Sequence, residues 1–116
     1  MMNAILATLV KFTSASERNA KANRSYGGTV LGASCLVKLA TPVPFGRNRK
    51  KDKERTTRYI WVSTSCVMGQ WETYAFPAYS NGKVHDWCEM YGSQRHDADA
   101  SDMHAVVLGE MGITMS

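Results

Sequence analysis

Residues 59–91 read YIWVSTSCVMGQWETYAFPAYSNGKVHDWCEMY and hold all three tryptophans of the chain. From Tyr59 to Val67, β-branched and aromatic residues recur with a period of two, which is typical of a strand with two different faces. Met68-Gly69-Gln70 interrupts the pattern. Aromatic and threonine residues then resume from Trp71 to Phe76, as expected for a second strand on a half-buried surface. The stretch therefore predicts an antiparallel sheet at the centre of the fold.

Asn81-Gly82 is the strongest turn signal in the chain. Both residue types tolerate positive φ, which a type I′ hairpin requires at its two central positions. A two-residue loop here predicts that Phe76 lies opposite Trp87 in the following strand. Pro77 has no N–H to donate, so it belongs at an edge or a bulge, and a longer loop would shift this register.

The first half of the chain predicts two further strands and one helix. The apolar run Met1–Phe12 is interpreted as a strand, since Ser14 and Glu17 have the spacing of a capping box that starts a helix directly after it. That helix extends over 15–25, where Arg18, Lys21 and Arg24 form a basic stripe that is interpreted mainly as a solvated face. The run Thr29–Ala40 predicts a central strand that ends at Pro42 and Pro44.

The end of the chain predicts a polar, turn-like segment over 92–100 and then a second helix. Ser101 or Asp102 would cap this helix, and Gly112 would end it. Its apolar side is expected to consist of Met103, Val106, Val107 and Met111.

These elements predict an α+β protein with a single antiparallel β-sheet of four to five strands and one or two short helices packed on one face. The 116 residues are expected to form a single domain, 1–116, with a basic loop at 46–58. No apolar run approaches the roughly 20 residues of a membrane span, and the start of the chain does not resemble a signal peptide. Cys35, Cys66 and Cys88 are expected to be reduced thiols of a cytoplasmic protein.

Charge is distributed unevenly along the chain. Residues 1–58 carry twelve Lys/Arg and three Asp/Glu, a net +9, whereas residues 59–116 carry two and seven, a net −5. The basic loop can contact phosphates, and aromatic residues beside it can stack on bases, as in proteins that hold single-stranded nucleic acid. A solubilising hairpin tip explains the same loop equally well. The predicted contact residues for nucleic acid or a partner are Arg47, Arg49, Lys50, Lys51, Lys53, Arg55, Arg58, Tyr59 and Trp61.

Candidate catalytic chemistry is sparse. His85-x-x-Cys88, with His96 and His104, is the one metal-like cluster, but it lacks the second ligand pair of a zinc site, so a surface histidine and a core cysteine are the simpler interpretation. No nucleophile elbow and no phosphate-binding glycine loop is present. No catalytic residue, metal ligand or cofactor is therefore predicted, and a zinc-dependent hydrolase stays as an alternative.

Three segments resemble small uncharacterised proteins encoded by tailed phages and prophages. They are WVSTS (Trp61–Ser65), WETYAFP (Trp71–Pro77) and NGKVHDWCEMYG (Asn81–Gly92), about a quarter of the chain. The resemblance implies a mobile-element origin and no particular activity. Small phage proteins often bind and block host machinery, so it implies a host protein or nucleoprotein complex as the partner, in the manner of an anti-CRISPR protein in the cytoplasm of an infected bacterium. The alternative function is a nucleic-acid-binding module, with DNA or RNA as partner and no membrane.

Overall fold

A computed structural model describes residues 4–22, 29–48, 53–85, 87, 90–97 and 102–115. These described residues form one six-stranded sheet and two short helices. The elements in chain order are β1 (Ile5–Thr13), α1 (Ala15–Ala22), β2 (Thr29–Asn48), β3 (Lys53–Val67), β4 (Gln70–Ala78), β5 (Gly92–His96), α2 (Met103–Glu110) and β6 (Ile113–Met115).

The strands lie in the order β5-β4-β3-β2-β1-β6. Neighbours pair antiparallel, except that β6 pairs parallel to β1 through Ile5, Leu6 and Ala7. The α+β class and the single sheet are thus confirmed. The strand number and type are corrected to six strands in a mixed sheet, because β5 and β6 come from segments whose sequences indicate a turn-like stretch and a tail.

The two faces of the sheet are covered differently. The α2 face carries Val37, Ile60, Val62 and Ala75, which form the buried core with Val107 and Leu108 of α2. Successive strand residues point to opposite sides. The register pairs Leu36 with Trp61 and Trp61 with Phe76, so these three side chains mark the opposite side, called the Trp61 face. Helix α1 lies on the Trp61 face, since its Arg18 guanidinium stands 5.6 Å from the Trp61 ring centroid. The expectation that both helices pack on one face was therefore wrong.

Strand β2 does not end at its prolines. It continues to Asn48 and pairs with β3 out to Lys53, so residues 46–48 and 53–58 belong to a paired hairpin. A register shift between Lys38 and Val43 accommodates the change. Beyond Leu39, β2 no longer pairs with β1. Pro44 has no N–H to donate, but this removes no hydrogen bond on the β1 side, because β2 has no partner strand there. The predicted basic loop at 46–58 is thus corrected at 46–48 and 53–58, which are strand, while 49–52 lie outside the described residues. Residues 46–58 are called here the basic arm.

The type I′ turn lies at Met68-Gly69 and not at Asn81-Gly82. Met68 and Gly69 have φ of 51° and 83°, and the flanking Val67 and Gln70 pair directly. At the second site Gly82 has a φ of 89°, whereas Asn81 does not have a positive φ. Gly82 N–H donates to Tyr79 O (2.9 Å), so the glycine follows a turn centred on residues 80 and 81, as in a three-residue hairpin loop with a bulge.

The longer loop at Asn81-Gly82 alters the strand pairing on its C-terminal side. Among the described residues beyond it, Val84 alone forms a bridge to Ala78, and β4 takes β5 as its outer partner. Trp87 therefore approaches Phe76 from a loop and not from a paired strand.

The buried side of α2 is shifted from the expected one. His104, Val107 and Leu108 are buried, whereas Val106 is 46% exposed. A polar residue inside the buried stripe obscured the pattern, because His104 is satisfied by hydrogen bonds to Ala33 O and Thr64 Oγ1, both 3.1 Å. Asp102 precedes the helix without a side-chain capping bond.

Candidate functional site

An aromatic cluster lies on the Trp61 face. The Trp87 ring meets the Trp61 ring edge-on at 5.7 Å between centroids and the Phe76 ring at 5.0 Å. Tyr74 extends the cluster, 6.2 Å from Phe76. Trp87 remains 65% exposed, while Phe76 is buried, so a rigid base supports one accessible indole. An exposed indole on a fixed aromatic base is a platform on which a flat ring can stack.

Arg18 fixes the centre of this cluster. Its Nη1 donates to Gly32 O (2.7 Å) and to Thr64 O (3.1 Å), and its guanidinium lies against the Trp61 ring. Burial lowers the pKa of the guanidinium, and Tyr74 acts in the opposite direction to a smaller extent. An arginine side chain stays protonated in proteins, so Arg18 brings a held positive charge to the aromatic cluster. Arg18 was expected to belong to a solvated basic stripe with Lys21 and Arg24. This was wrong for Arg18, because its side chain faces the sheet.

Two cavities border Trp61, and both are cationic. The first has a volume of about 160 Å³ and includes Lys11 in its wall. The second has a volume of about 340 Å³, lies between Trp61 and Trp87, and includes Lys83. No Asp or Glu among the described residues lines either cavity. This part of the Trp61 face therefore attracts anions, although the C-terminal half of the chain is acidic overall.

The first cavity has polar lining residues. Ser34 is only 5% exposed and lines the cavity, and its hydroxyl has no hydrogen-bond partner among the described residues. Thr13 and Asn81 stand on the walls. Asn81 Oδ1 accepts from Lys83 N (3.0 Å), which leaves its Nδ2 donor available. Hydroxyl and amide groups without protein partners at a cavity wall are suited to hydrogen-bond a ligand.

The predicted contact residues of the basic arm lie in different environments. Arg55 is exposed and covers the Phe45 ring at 4.7 Å, and Arg58 is exposed and donates to Ala40 O (3.1 Å). Tyr59 and Trp61 are half-buried in β3. Arg49, Lys50 and Lys51 lie outside the described residues, as do the side chains of Arg47 and Lys53.

A stack of side chains connects the basic arm to the loop that carries Trp87. His85 lies 4.6 Å from Phe45 and 3.6 Å from Tyr79, between ring centroids. Arg55 also lies over the Phe45 ring. Burial and, secondarily, the charge of Arg55 lower the pKa of His85. A neutral imidazole therefore fits this stack better than a charged one.

The structure does not gather the three histidines into one site. His85 is in the stack, while His96 and His104 are linked through two buried threonines. His96 Nε2 lies 2.8 Å from Thr73 Oγ1, which lies 2.6 Å from Thr64 Oγ1, itself a partner of His104. Within the described ranges, no three His, Cys, Asp or Glu side chains are placed to hold one metal ion. Cys88 lies outside those ranges.

The buried thiol of Cys35 is inert. Burial raises its pKa to about 11, so the thiol stays protonated at neutral pH, and the thiolate is the reactive form.

Sequence reasoning missed five residues of the site: Lys11, Arg18, Ser34, Lys83 and Trp87. The patterning places Trp87 in a strand, and Lys11 is a single charge within an apolar run. Simple alternation in β1 would place Lys11 on the same face as Ala7. The register shift between Leu9 and Lys11 turns Lys11 to the Trp61 face instead, so the sequence pattern does not predict its place in the cavity.

No protein-family model matches the chain, and no curated protein or solved structure matches it either. Among the described residues, no helix has both the length and the apolar character needed to cross a membrane.

Proposed function

We propose that the protein binds single-stranded nucleic acid across the Trp61 face, with Trp87 as the stacking platform and the basic arm as a phosphate clamp. The observation that carries this proposal is the 65% exposed Trp87 indole, seated on Trp61 and Phe76 beside two cavities that are lined by lysine and, among the described residues, by no acid. Stacking on aromatic side chains together with a cationic track is the common means of holding a single strand.

The basic arm contributes the sequence-independent part of this binding. Arg55 and Arg58 are exposed on β3, and seven Lys/Arg fall within residues 46–58 against two acids. Strand pairing out to Asn48 and Lys53 gives the arm a defined direction, and the stack through His85 holds it beside the Trp87 loop. The two contact surfaces are therefore coupled within one scaffold.

Binding of a short single-stranded oligonucleotide at about 50 and about 200 mM salt tests the proposal. We expect binding at the lower salt concentration and a steep loss at the higher one. Replacing Arg49, Lys50, Lys51 and Lys53 together with glutamine should flatten the salt dependence by about 0.7 in log–log slope for each phosphate contact removed. No binding at the lower salt concentration contradicts the proposal.

A second candidate function is stoichiometric inhibition of a host protein, as the resemblance to phage proteins implies. One observation favours it. Strand β6 covers β1 only at Ile5–Ala7, so within the described part of the chain residues 8–13 have no strand partner on that side. Leu9, Val10 and Phe12 are each about half exposed there. An apolar, unpaired strand edge is a site at which a partner can add a strand.

In this second candidate the protein acts in the cytoplasm of an infected bacterial cell. Capture from host lysate should then recover one defined protein or nucleoprotein complex, and Val10→Lys together with Phe12→Lys should abolish the capture. Val106→Lys, an exposed change on α2, is the matched control and should leave it intact. If the β1 variant still captures the partner, the partner does not bind at the edge of β1. If the unmodified protein captures nothing, the proposed inhibition of a host protein is contradicted.

A further inference from the structure

The 160 Å³ cavity beside Trp61 has features of a selective subsite and not merely of a charged surface. It is lined by Ser34 and Leu36 of β2, Lys11 of β1 and the loop at Asn81. The loop lies close to β2, since a Cβ built on Gly82 would lie 3.9 Å from Leu36. Apolar and polar groups thus line one small space, which favours a ring with a polar edge over a bare phosphate.

We propose that this cavity receives one nucleobase of the bound strand and prefers a uracil or thymine ring. This inference rests on the proposed function. An apolar cavity of about 150 Å³ accommodates a benzene ring, so the volume suits a single pyrimidine ring better than the two fused rings of a purine. Single-stranded recognition commonly takes an unstacked base out of the strand and reads its edge by hydrogen bonds.

The available hydrogen-bonding groups determine which pyrimidine fits. Lys11 is a donor only, and Asn81 offers its amide donor because its oxygen already accepts from the Lys83 N–H. Two donors complement the two carbonyl oxygens of uracil or thymine. The Ser34 hydroxyl, free of partners among the described residues, can accept the ring N–H of these bases. Cytosine presents an amino group where the second carbonyl would be, and that amino group would face a donor.

Trp61 provides the flat wall of the same cavity. Arg18 holds this indole from the α1 side, so the ring is fixed before a ligand arrives. A fixed wall reduces the ordering that binding requires. The cavity also adjoins the Trp87 platform, because Trp61 and Gly82 line both cavities. Neighbouring bases of one strand can therefore occupy the platform and the cavity together.

The test compares oligo-dT, oligo-rU, oligo-dC and oligo-dA of equal length at low salt, with the full chain and with Ser34→Ala. We expect the thymine and uracil strands to bind roughly tenfold more tightly than the adenine strand. In Ser34→Ala the preference for thymine and uracil over adenine should shrink several-fold. Ser63→Ala is the matched control, since Ser63 pairs with Ser34 across the sheet but does not line the cavity, and it should keep the preference.

The outcomes separate this inference from the function beneath it. Equal affinity for all four homopolymers, with salt-sensitive binding intact, overturns the base subsite and leaves the proposed function standing. A preference that persists unchanged in both Ser34→Ala and Lys11→Gln overturns the assignment to this cavity. Absence of binding to every homopolymer overturns both.

Discussion

The guanidinium of Arg18 lies 5.6 Å from the centroid of the Trp61 indole. This contact joins a surface helix to the middle of the sheet, because the same side chain donates to two backbone carbonyls, Gly32 O and Thr64 O. Gly32 lies between the paired positions Leu31 and Ser34, where the β2–β3 register shifts. Arg18 therefore satisfies an irregular stretch of backbone and positions an aromatic side chain of the candidate site at the same time.

Arg18→Lys should destabilise the protein although it keeps the charge. A lysine has no planar guanidinium that can lie against the Trp61 ring while one of its nitrogens donates to two carbonyls. We expect a loss of about 1–2 kcal/mol in the free energy of unfolding, measured by urea titration. Lys21→Arg, an exposed change on the same helix, is the control. Unchanged stability in Arg18→Lys shows that the contact is not what holds α1 to the sheet.

Trp87→Ala should reduce affinity for a single strand with little effect on folding. The indole is mostly exposed, and base stacking on an aromatic side chain contributes about 1–3 kcal/mol, so affinity should fall roughly 5- to 150-fold. Trp71→Ala is the matched control, because it removes an indole from the α2 face. Equal losses in the two variants, with both still folded by circular dichroism, would place binding elsewhere.

His85 predicts a loss of stability toward acid. Its folded-state pKa lies below the ordinary value of 6.5, so the folded protein binds this proton less readily than the unfolded chain does. The stability that the neutral His85 ring contributes is therefore fully present above about pH 6.5. It is lost as the pH falls toward the folded-state pKa. His85→Phe preserves stacking without titrating, so its unfolding free energy should decrease less between about pH 7.5 and 5.

The pKa of His85 can also be followed directly by proton NMR of its ring. Arg55→Gln should raise this pKa toward the ordinary value, because it removes the nearby positive charge while leaving Phe45 in place. A His85 pKa at or above 6.5 in the unmodified protein contradicts the stacked, neutral imidazole.

Met68 predicts a stabilising substitution. It is 87% exposed and holds a φ of 51°, a left-handed conformation that disfavours most side chains but suits asparagine. Met68→Asn should increase the free energy of unfolding by about 0.5–1 kcal/mol, seen as a higher Tm. Gly69→Ala, with its φ of 83° at the next position, should lower the Tm. A lower Tm in Met68→Asn would exclude a type I′ turn at this site.

Local patterning predicted the strands around which the sheet is built. The alternation from Tyr59 to Val67 became the second half of β3, and Ser14 bonds the Glu17 N–H at 3.2 Å as the capping box requires. β5 was missed because Gly-Ser-Gln-Arg-His has low strand propensity. It forms because β4 offers a free edge that the Asn81-Gly82 hairpin does not fill. The strand propensity of residues 92–96 contains no information about the free edge of β4, because that edge results from the length of the Asn81-Gly82 loop.

The candidate site was predictable only in part. Trp61 and the basic arm follow from composition, and both belong to the proposed interface. Lys11, Ser34 and Asn81 meet at one cavity because a register shift between Leu9 and Lys11 in β1 and a three-residue loop bring them together. Neither feature leaves a signature in the residues themselves, so the cavity emerges only from the three-dimensional pairing.

The most direct test is the ¹⁵N spectrum of the three indole N–H groups during titration with a short oligo-dT. Trp61 and Trp87 lie on the Trp61 face, and Trp71 lies on the opposite face, so each signal reports on a known side of the sheet. Binding as proposed should shift the Trp61 and Trp87 resonances in step with saturation and leave Trp71 in place. Three unmoved resonances at low salt, or a shift confined to Trp71, would contradict it.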